Sequence, residues 1–418
     1  VVAAALGLAS GVEPRAVVGG VLAVTVGLAL LLHLEWAALA VVATAVFEDY
    51  LHVVEPRLVK GLAAVLVASW LLRRCRGPLP GGTTGPVPLA AVGLVVALLA
   101  ATVAHANGPV GLAVLGRWLG FVAVLLVLAD CLRGLIAPAR VARVFVWSCT
   151  AAAGCGLLTY LLAEERRVGG PVGDPNDLAF FLLAALPLAL ALRSLSRRPH
   201  AYDVATALLL LGLLGTLSRG ALAGLALSLV VAVLLGQLSW RAVVGLGVLL
   251  GALVAASLVA VPHLVATSLD QKEHVADQNV SERLDLWESA SRMTADSPVV
   301  GLGPGAFQLW HDDYLDRMPN DVNHRLDVAH NTYLETSSEL GVLGLAAFLA
   351  VLGTAVAGAV FRWRRDRDPL AGAVGSALAG TAVAAAFITE QYFLPLWLLA
   401  ALAAGLATRP LATTGVVR

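Results

Sequence analysis

The sequence predicts an all-α polytopic membrane protein of about thirteen to fourteen transmembrane helices, with one long extracytoplasmic loop that contains short helices. Three observations predict it. The 418 residues are 59% hydrophobic and 13% charged, whereas soluble chains carry roughly 25% charged residues. Mean hydropathy is +0.84, and many apolar runs reach the ~18 residues or more needed to cross ~30 Å of hydrocarbon. Those runs are continuously apolar, while a membrane β-barrel alternates over ~10-residue segments.

The apolar stretches fall near 16–33, 35–48, 57–73, 88–105, 109–130, 138–162, 176–195, 201–217, 219–236, 241–262, 335–361, 370–389 and 391–407. A fourteenth is the expected remnant in residues 1–11, because the chain opens at Val1 in the middle of hydrophobic text. No cleavable signal pattern is read there. The chain therefore divides into an N-terminal bundle, 1–262, a polar loop, 263–334, and a C-terminal set of helices, 335–418. The loop holds five of the nine histidines and twelve of the twenty-eight acidic residues.

Orientation follows from the arginines. Arg73-Arg74-Cys75-Arg76, Arg133 with Arg140 and Arg143, Arg193 with Arg197-Arg198, Arg241, and Arg362-Trp363-Arg364-Arg365 fall on alternate connections. Counting spans puts all of them on one side, which the positive-inside rule makes cytoplasmic. The linker Pro78 to Pro88 lies on that side too. The polar loop, the Glu164–Asn176 connection and the Ser218-Arg219 corner then lie outside. Cys75, Cys131, Cys149 and Cys155 form no metal or disulfide spacing.

Several outer residues break the pattern of a plain scaffold. Arg166, Arg167 and Arg219 sit on the side that should be poor in arginine. Arg219 lies where two apolar stretches meet almost without a loop, a costly place for a charge unless it faces a cavity or partner. Snorkelling to lipid phosphate is the competing role. Gly and Pro make 164–177 a loop, with Asn176 or Asp177 as the expected cap of the next helix. Arg117 and Glu390 are the other charges embedded in or between spans. Arg117 is expected at an internal cavity and Glu390 at the outer site.

Within the polar loop, residues 280–293 read as an amphipathic helix, with Ser281 as N-cap and Ser297-Pro298 as the stop. Leu284, Trp287 and Ser291 share one face, and Leu286, Ala290 and Met293 the adjoining one. Arg283 then falls one turn from the helix start, where the dipole disfavours a cation, so a ligand role suits it better. Gly301-Leu302-Gly303-Pro304-Gly305 reads as a glycine turn, since no strand precedes it to make a nucleotide fingerprint. His330 precedes a long helix that includes 340–361. A helix start attracts anions and holds an imidazole neutral, able to take a proton. A metal site drawn from His311-Asp312-Asp313, His324 and His330 is the competing chemistry, although no two of these histidines have the i, i+4 spacing of a helical zinc site.

Four stretches together resemble the O-antigen ligase and O-antigen polymerase superfamily of bacterial membrane glycosyltransferases. They are Gly173-Asp174-Pro175-Asn176-Asp177-Leu178-Ala179; Thr216-Leu217-Ser218-Arg219-Gly220-Ala221; Glu282 to Trp287 running on to Pro298–Gly305; and His330-Asn331-Thr332-Tyr333-Leu334-Glu335 with Glu339–Gly344. The likeness covers roughly 160–360.

The resemblance implies a multi-pass protein of the cytoplasmic (inner) membrane with its active site on the extracytoplasmic side. It implies a polyprenyl-diphosphate-linked glycan donor, a glycan or glycolipid acceptor, surrounding membrane lipid, no nucleic acid and no cofactor. By position, His330, Arg219 and Arg283 would be catalytic. Arg166 or Arg167, with Asn176, Asn331 and Tyr333, would bind substrate. Arginine suits a departing diphosphate because its planar fork binds phosphate oxygens in pairs. The alternative class is a small-anion transporter, which would place charges and broken helices at mid-membrane depth. Here the polar residues crowd the outer boundary instead.

Overall fold

The structure, a computed structural model, describes residues 14–55, 57–77, 84–163, 167–260, 262–315 and 328–408. The expectations for residues 1–11, Arg166, His324 and most of the Pro78–Pro88 linker lie outside these residues.

All regular elements among the described residues are helical, and each of the thirteen apolar stretches is a helix or the body of one. In chain order they are α1 (Pro14–Leu32), α2 (Leu34–Thr44) running through a 3-10 turn into α3 (Glu48–Val54), α4 (Leu58–Cys75), α5 (Pro86–Ala104), α6 (Gly108–Gly134), α7 (Pro138–Leu162), α8 (Pro175–Leu195), α9 (Pro199–Gly215), α10 (Arg219–Leu234) and α11 (Trp240–Ala260). The polar region contributes α12 (Pro262–Asp296) and α13 (Ala306–Trp310), and the chain closes with α14 (Thr332–Asp366), α15 (Pro369–Ala384) and α16 (Leu394–Thr408). Six stretches are long and apolar enough to cross a membrane unaided: 34–54, α5, α6, α7, α8 and α14. Shorter apolar helices lie within α1, α9, α10, α11, α15 and α16.

Contacts sort the helix ends into two sides, and the basic clusters collect on one. Arg74 near the end of α4 grips Asp130 near the end of α6 through both carboxylate oxygens at 2.8 Å, and Trp70 Nε1 donates to the same carboxylate at 2.7 Å. Arg140 at the start of α7 pairs with Glu35 at the start of α2. Trp363 Nε1 near the end of α14 donates to Leu235 O, just past α10, at 2.9 Å. The partition agrees with the charge pattern of the sequence.

Between helices in lipid there is little hydrophobic driving force, so close packing of small residues carries association. Gly220, Gly224 and Ser228 repeat every four residues on α10 and meet Phe387, Gly380 and Ala384 from α15 and the connection that follows it. A Cβ on Gly224 would come within 2.5 Å of Gly380 O, so only glycine permits this approach. Between α6, α14 and α16 lies an aromatic knot. Trp118 sits edge-on to Phe348, Tyr392 and Trp397 at centroid distances of 5.9, 5.7 and 6.1 Å, a favoured geometry for aromatic quadrupoles. Arg117 lies over the Tyr392 ring at 5.8 Å, so its charge meets an aromatic face at the edge of this knot.

The polar region differs from expectation in one respect. Residues 280–293 are the end of a 35-residue helix, α12, not a separate short one. No Pro or Gly interrupts the chain between Pro262 and Pro298, so nothing forces a break at Ser281, and that residue does not cap a helix. Leu286, Ala290 and Met293 do form its buried face, packing with Ala306, Phe307 and Ala329 into a small separate core. Leu284 and Ser291 stay exposed.

That core is fastened to the bundle at a break in α14. Gly341 is non-helical there, with φ 64° and ψ −167°, and the glycine turn docks into the gap. Leu302 N donates to Ser338 O and Gly303 N to Glu339 O, both at 2.9 Å, while Val342 N and Leu343 N donate to Pro298 O and Val299 O at 2.8 and 3.3 Å. The break frees two carbonyls and two amides from the helix, and the turn satisfies them. Gly301, Gly303 and Gly305 all have positive φ, as a backbone-to-backbone approach of this kind requires.

Candidate active site

Three helices begin on the side away from the basic clusters, within reach of one another, and the sequence at each start explains why it begins there. Asp174 caps α8, its Oδ1 accepting from Asn176 N at 2.6 Å. Asn176 and Asp177, the expected caps, sit instead in the first turn. Pro175 takes the first helical position, where its missing amide costs nothing, and that moves the cap back to Asp174. Ser218 precedes Arg219 at the start of α10. Asn331 caps α14, its Oδ1 accepting from Tyr333 N at 3.0 Å and Leu334 N at 3.1 Å. Each start presents unpaired amides and the positive end of a helix dipole.

Long side chains tie these starts together. Arg167 Nε donates to Thr216 O at 2.7 Å and its Nη2 to Asn176 Oδ1 at 3.1 Å, so one guanidinium bridges the α9–α10 corner and the start of α8. Arg283 Nη1, reaching in from α12, donates to Phe387 O at 3.2 Å in the α15–α16 connection. Trp287, one turn on, donates through Nε1 to Ala329 O at 3.1 Å and so pins the residue before His330. Thr332 N donates to Ala385 O at 2.9 Å and to Ile388 O at 3.1 Å, which locks the start of α14 to the same connection.

Two residues at these corners are strained. Leu217 (φ 53°) and His330 (φ 48°) are non-glycine residues in the left-handed region, at a cost of order 1–3 kcal/mol each. One strained residue lies two positions before Arg219 and the other is His330 itself. The neighbouring contacts overdetermine both. For His330 the chief holder is Glu335. This buried carboxylate accepts from Ala329 N at 2.9 Å, Thr389 Oγ1 at 2.9 Å and Gln391 Nε2 at 2.7 Å. All three partners donate, so both carboxylate oxygens serve as acceptors.

The electrostatics show which charges face one another. His330 is pushed below the ordinary imidazole range first by burial and then by the Arg283 charge, with Asp174 opposing. The direction is the one expected from the sequence, but the causes are burial and a neighbouring cation. Arg167 is lowered by burial and by Arg283, with Asp174 opposing. Arg283 is lowered by burial and by Arg219, again with Asp174 opposing. Arg167, Arg219 and His330 therefore each lie within electrostatic reach of Arg283, and Asp174 lies within reach of Arg167, Arg283 and His330. Arginines remain charged in proteins, so several held within mutual repulsion make a place that an anion stabilises.

The structure treats the other candidates differently. Asn176 joins the site through Arg167. Asn331 uses its side-chain carbonyl as a helix cap beside His330. Tyr333 turns inward: its ring packs near Phe348, and its hydroxyl donates to Ala382 O at 2.5 Å. Glu390, in the α15–α16 connection, is fully buried. Among the described residues no group of three or more His, Cys, Asp or Glu is placed to hold a metal ion, and His311 stacks on Phe307 at 5.1 Å inside the loop's own core.

Sequence reasoning missed two residues. Asp174 read as part of a turn, although an Asp before a Pro at a helix start is itself a cap signal. Glu335 stood in one of the four family-like stretches with no role assigned. A Glu335→Ala substitution leaves Ala329 N, Thr389 Oγ1 and Gln391 Nε2 without their acceptor. It is expected to cost about 1–3 kcal/mol and to loosen His330. Thermal unfolding in detergent and transfer activity should both fall, and an unchanged melting temperature would remove the clamp role.

Residues 204–349 match the family model described as O-Antigen ligase. No curated protein matches the chain. The matched stretch runs from α9 to the far side of the α14 break and contains Arg219, Arg283 and His330. Over that stretch, about a third of the chain, this multi-pass membrane protein is similar to the O-antigen ligase family, and the similarity takes in two of the helix starts described above, those of α10 and α14.

Proposed function

We propose that the protein transfers a polyprenyl-diphosphate-linked glycan to a hydroxyl of an acceptor sugar on the outer face of the cytoplasmic membrane. The observation that supports this best is the convergence of Arg167, Arg219, Arg283 and His330 at three helix starts. In this reading the donor diphosphate lies against the arginines and the lipid tail leaves between helices. His330 takes the proton of the acceptor hydroxyl as the oxygen attacks the anomeric carbon. The bond from that carbon to the diphosphate oxygen breaks, and the polyprenyl diphosphate departs with the electron pair.

The charge that develops on the leaving group needs donors already in place. Fixed arginines and helix amides in a site of low dielectric are worth far more than the same groups in water. The reading needs neither a metal ion nor a sugar nucleotide, because the arginines supply the positive charge. A neutral imidazole of lowered pKa suits the base role, since it is available to accept a proton at neutral pH.

Purified protein incubated with lipid-linked repeats tests the function. A ladder of longer chains indicates a polymerase, and transfer only to an added acceptor indicates a ligase. Uptake of an anion with neither product would overturn the reading in favour of transport. Arg219→Lys keeps the charge and loses the planar fork. It is expected to cut transfer at least tenfold, and retained activity would reduce Arg219 to an anchoring role.

A further inference from the structure

A second concave place lies on the same side of the molecule as the helix starts. α6 reaches the basic side near its end, at Asp130, so its beginning lies at the other end of the bundle. There the α5–α6 connection, His105-Ala106-Asn107, meets the polar region. A cavity of about 450 Å³ opens between them, lined chiefly by His105, Asn107, Leu302, Trp310 and Tyr314. Its volume falls within the ~300–1,000 Å³ of small-molecule sites. None of these residues belongs to the arginine and histidine site.

Backbone contacts set the walls. Asn107 Nδ2 donates to Leu302 O at 2.9 Å and to Pro304 O at 3.1 Å, which ties the connection to the glycine turn. A Cβ on Gly303 would come within 2.5 Å of His105 O, so the two backbones approach as closely as only glycine allows. Past the turn, the aromatic residues sort by face. Phe307 and His311 stack on each other at 5.1 Å and are buried. Trp310 and Tyr314 line the cavity instead. Tyr314 is fixed at ring and backbone: its hydroxyl donates to Asp296 Oδ2 at 2.7 Å, and its carbonyl accepts from Arg292 Nη1 at 3.0 Å. Trp310 is 46% exposed. Among the described residues, its indole N–H and the His105 ring have no hydrogen-bond partner.

The lining selects a class of occupant. No Arg, Lys, Asp or Glu is among the described residues that line it, so a phosphate or a lipid headgroup finds no fixed opposite charge. An acyl chain would leave the polar groups unpaired. Aromatic faces fit the C–H faces of a pyranose ring, while the indole N–H, imidazole and amide fit its hydroxyls.

We propose that this cavity is a second glycan-binding site, which holds a neutral sugar of the substrate chain away from the bond being formed. It rests on the glycan-transfer reading above for the identity of that chain, and deepens it. Phe307 of α13 packs in the same small core as Leu286 and Ala329, the one close in sequence to Arg283 and the other next to His330. A chain held here is therefore tethered to the element that positions the site.

The test is calorimetric titration of the purified full chain in detergent. The probe is the free oligosaccharide released by mild acid from the lipid-linked repeats, three repeats long. Trp310→Ala, Trp310→Phe and His105→Ala are compared with the parent protein, with melting temperature as the check on folding. Trp310→Ala is expected to raise Kd about tenfold or more, as truncation of a central aromatic does, and Trp310→Phe less. KM for a three-repeat lipid-linked substrate should rise with it while kcat stays unchanged. Unchanged Kd in folded Trp310→Ala and His105→Ala overturns the site, as does a fall in kcat with Kd unchanged, which would mean structural support. Lower stability of Trp310→Ala in lipid nanodiscs with sugar binding intact also overturns it, because Trp310 would then be an interfacial anchor. A parent that transfers glycan while its binding is indifferent to Trp310 removes this site alone. A parent that binds the oligosaccharide through Trp310 and transfers nothing keeps the site and removes the glycan-transfer reading.

Discussion

A His330→Ala variant is expected to lose glycan transfer by ~10²–10⁴-fold, the usual contribution of a positioned general base, while staying folded. Its fold should survive because the contacts that build the corner belong to its neighbours. Asn331 caps α14, Glu335 holds Ala329 N, and Trp287 holds Ala329 O. Alanine still inherits a φ of 48°, so a modest loss of stability accompanies the change.

The pH dependence follows with a definite sign. The base works when neutral, so the rate falls as pH drops through the His330 pKa. Burial and Arg283 place that pKa below the ordinary imidazole value of 6.5, so the acid limb should lie on the acid side of 6.5. Removing the Arg283 charge should move this limb upward. An Arg283→Gln variant followed by kcat/KM against pH checks it. Full activity of His330→Ala on purified donor would sink the base assignment.

The largest effect on stability is expected at the break in α14. A Cβ on Gly341 would lie 2.3 Å from Val299 O, and one on Gly301 would lie 2.3 Å from the Glu339 carbonyl carbon. Both positions have positive φ, 64° and 69°. The atoms in the way are backbone, held by the four hydrogen bonds that join the turn to the helix, so no rotamer change relieves the clash. Gly341→Ala or Gly301→Ala should cost about 4 kcal/mol or more, the upper end for point mutations. Gly353→Ala is the control. A Cβ there would meet nothing within 4 Å, and alanine in a helix interior is favoured over glycine by about 1 kcal/mol. Melting temperatures in detergent should separate the two kinds of variant sharply, and similar values would mean that the turn is not rigidly docked.

The polar loop depends on this junction. The small core of Leu286, Ala290, Met293, Ala306, Phe307 and Ala329 carries Arg283 on one side and the residues leading to His330 on the other. If the turn comes away from α14, both lose their register. A variant at Gly341 should therefore lose transfer as well as stability, although Gly341 touches none of the charged groups.

Much of this was legible in the chain. Continuous apolar runs produced all thirteen helices, and the arginine clusters sorted their ends. The inward face of α12 followed from the spacing of Leu286, Ala290 and Met293. The glycine turn and the placement of His330 before a helix were also readable, because both rest on local backbone chemistry. Two local readings failed for local reasons. Pro175 shifted the α8 cap to Asp174, and without a breaker α12 ran back through Ser281.

What the sequence by itself determined was the membrane class, the helix set, the sorting of helix ends by charge and the small group of arginines set apart from the basic clusters. These depend on hydropathy, length and the sign of charge, which are properties of a segment. Only the tertiary structure decided which of those charges come within electrostatic reach of one another. Arg167, Arg219, Arg283 and His330 come from four separate stretches. It also decided that Tyr333 turns inward, that Glu335 is a satisfied clamp, and that Glu390 is buried with no hydrogen-bond partner for its carboxylate among the described residues. A side chain's partners are set by backbone groups far away in the chain, and no periodicity within one segment records them.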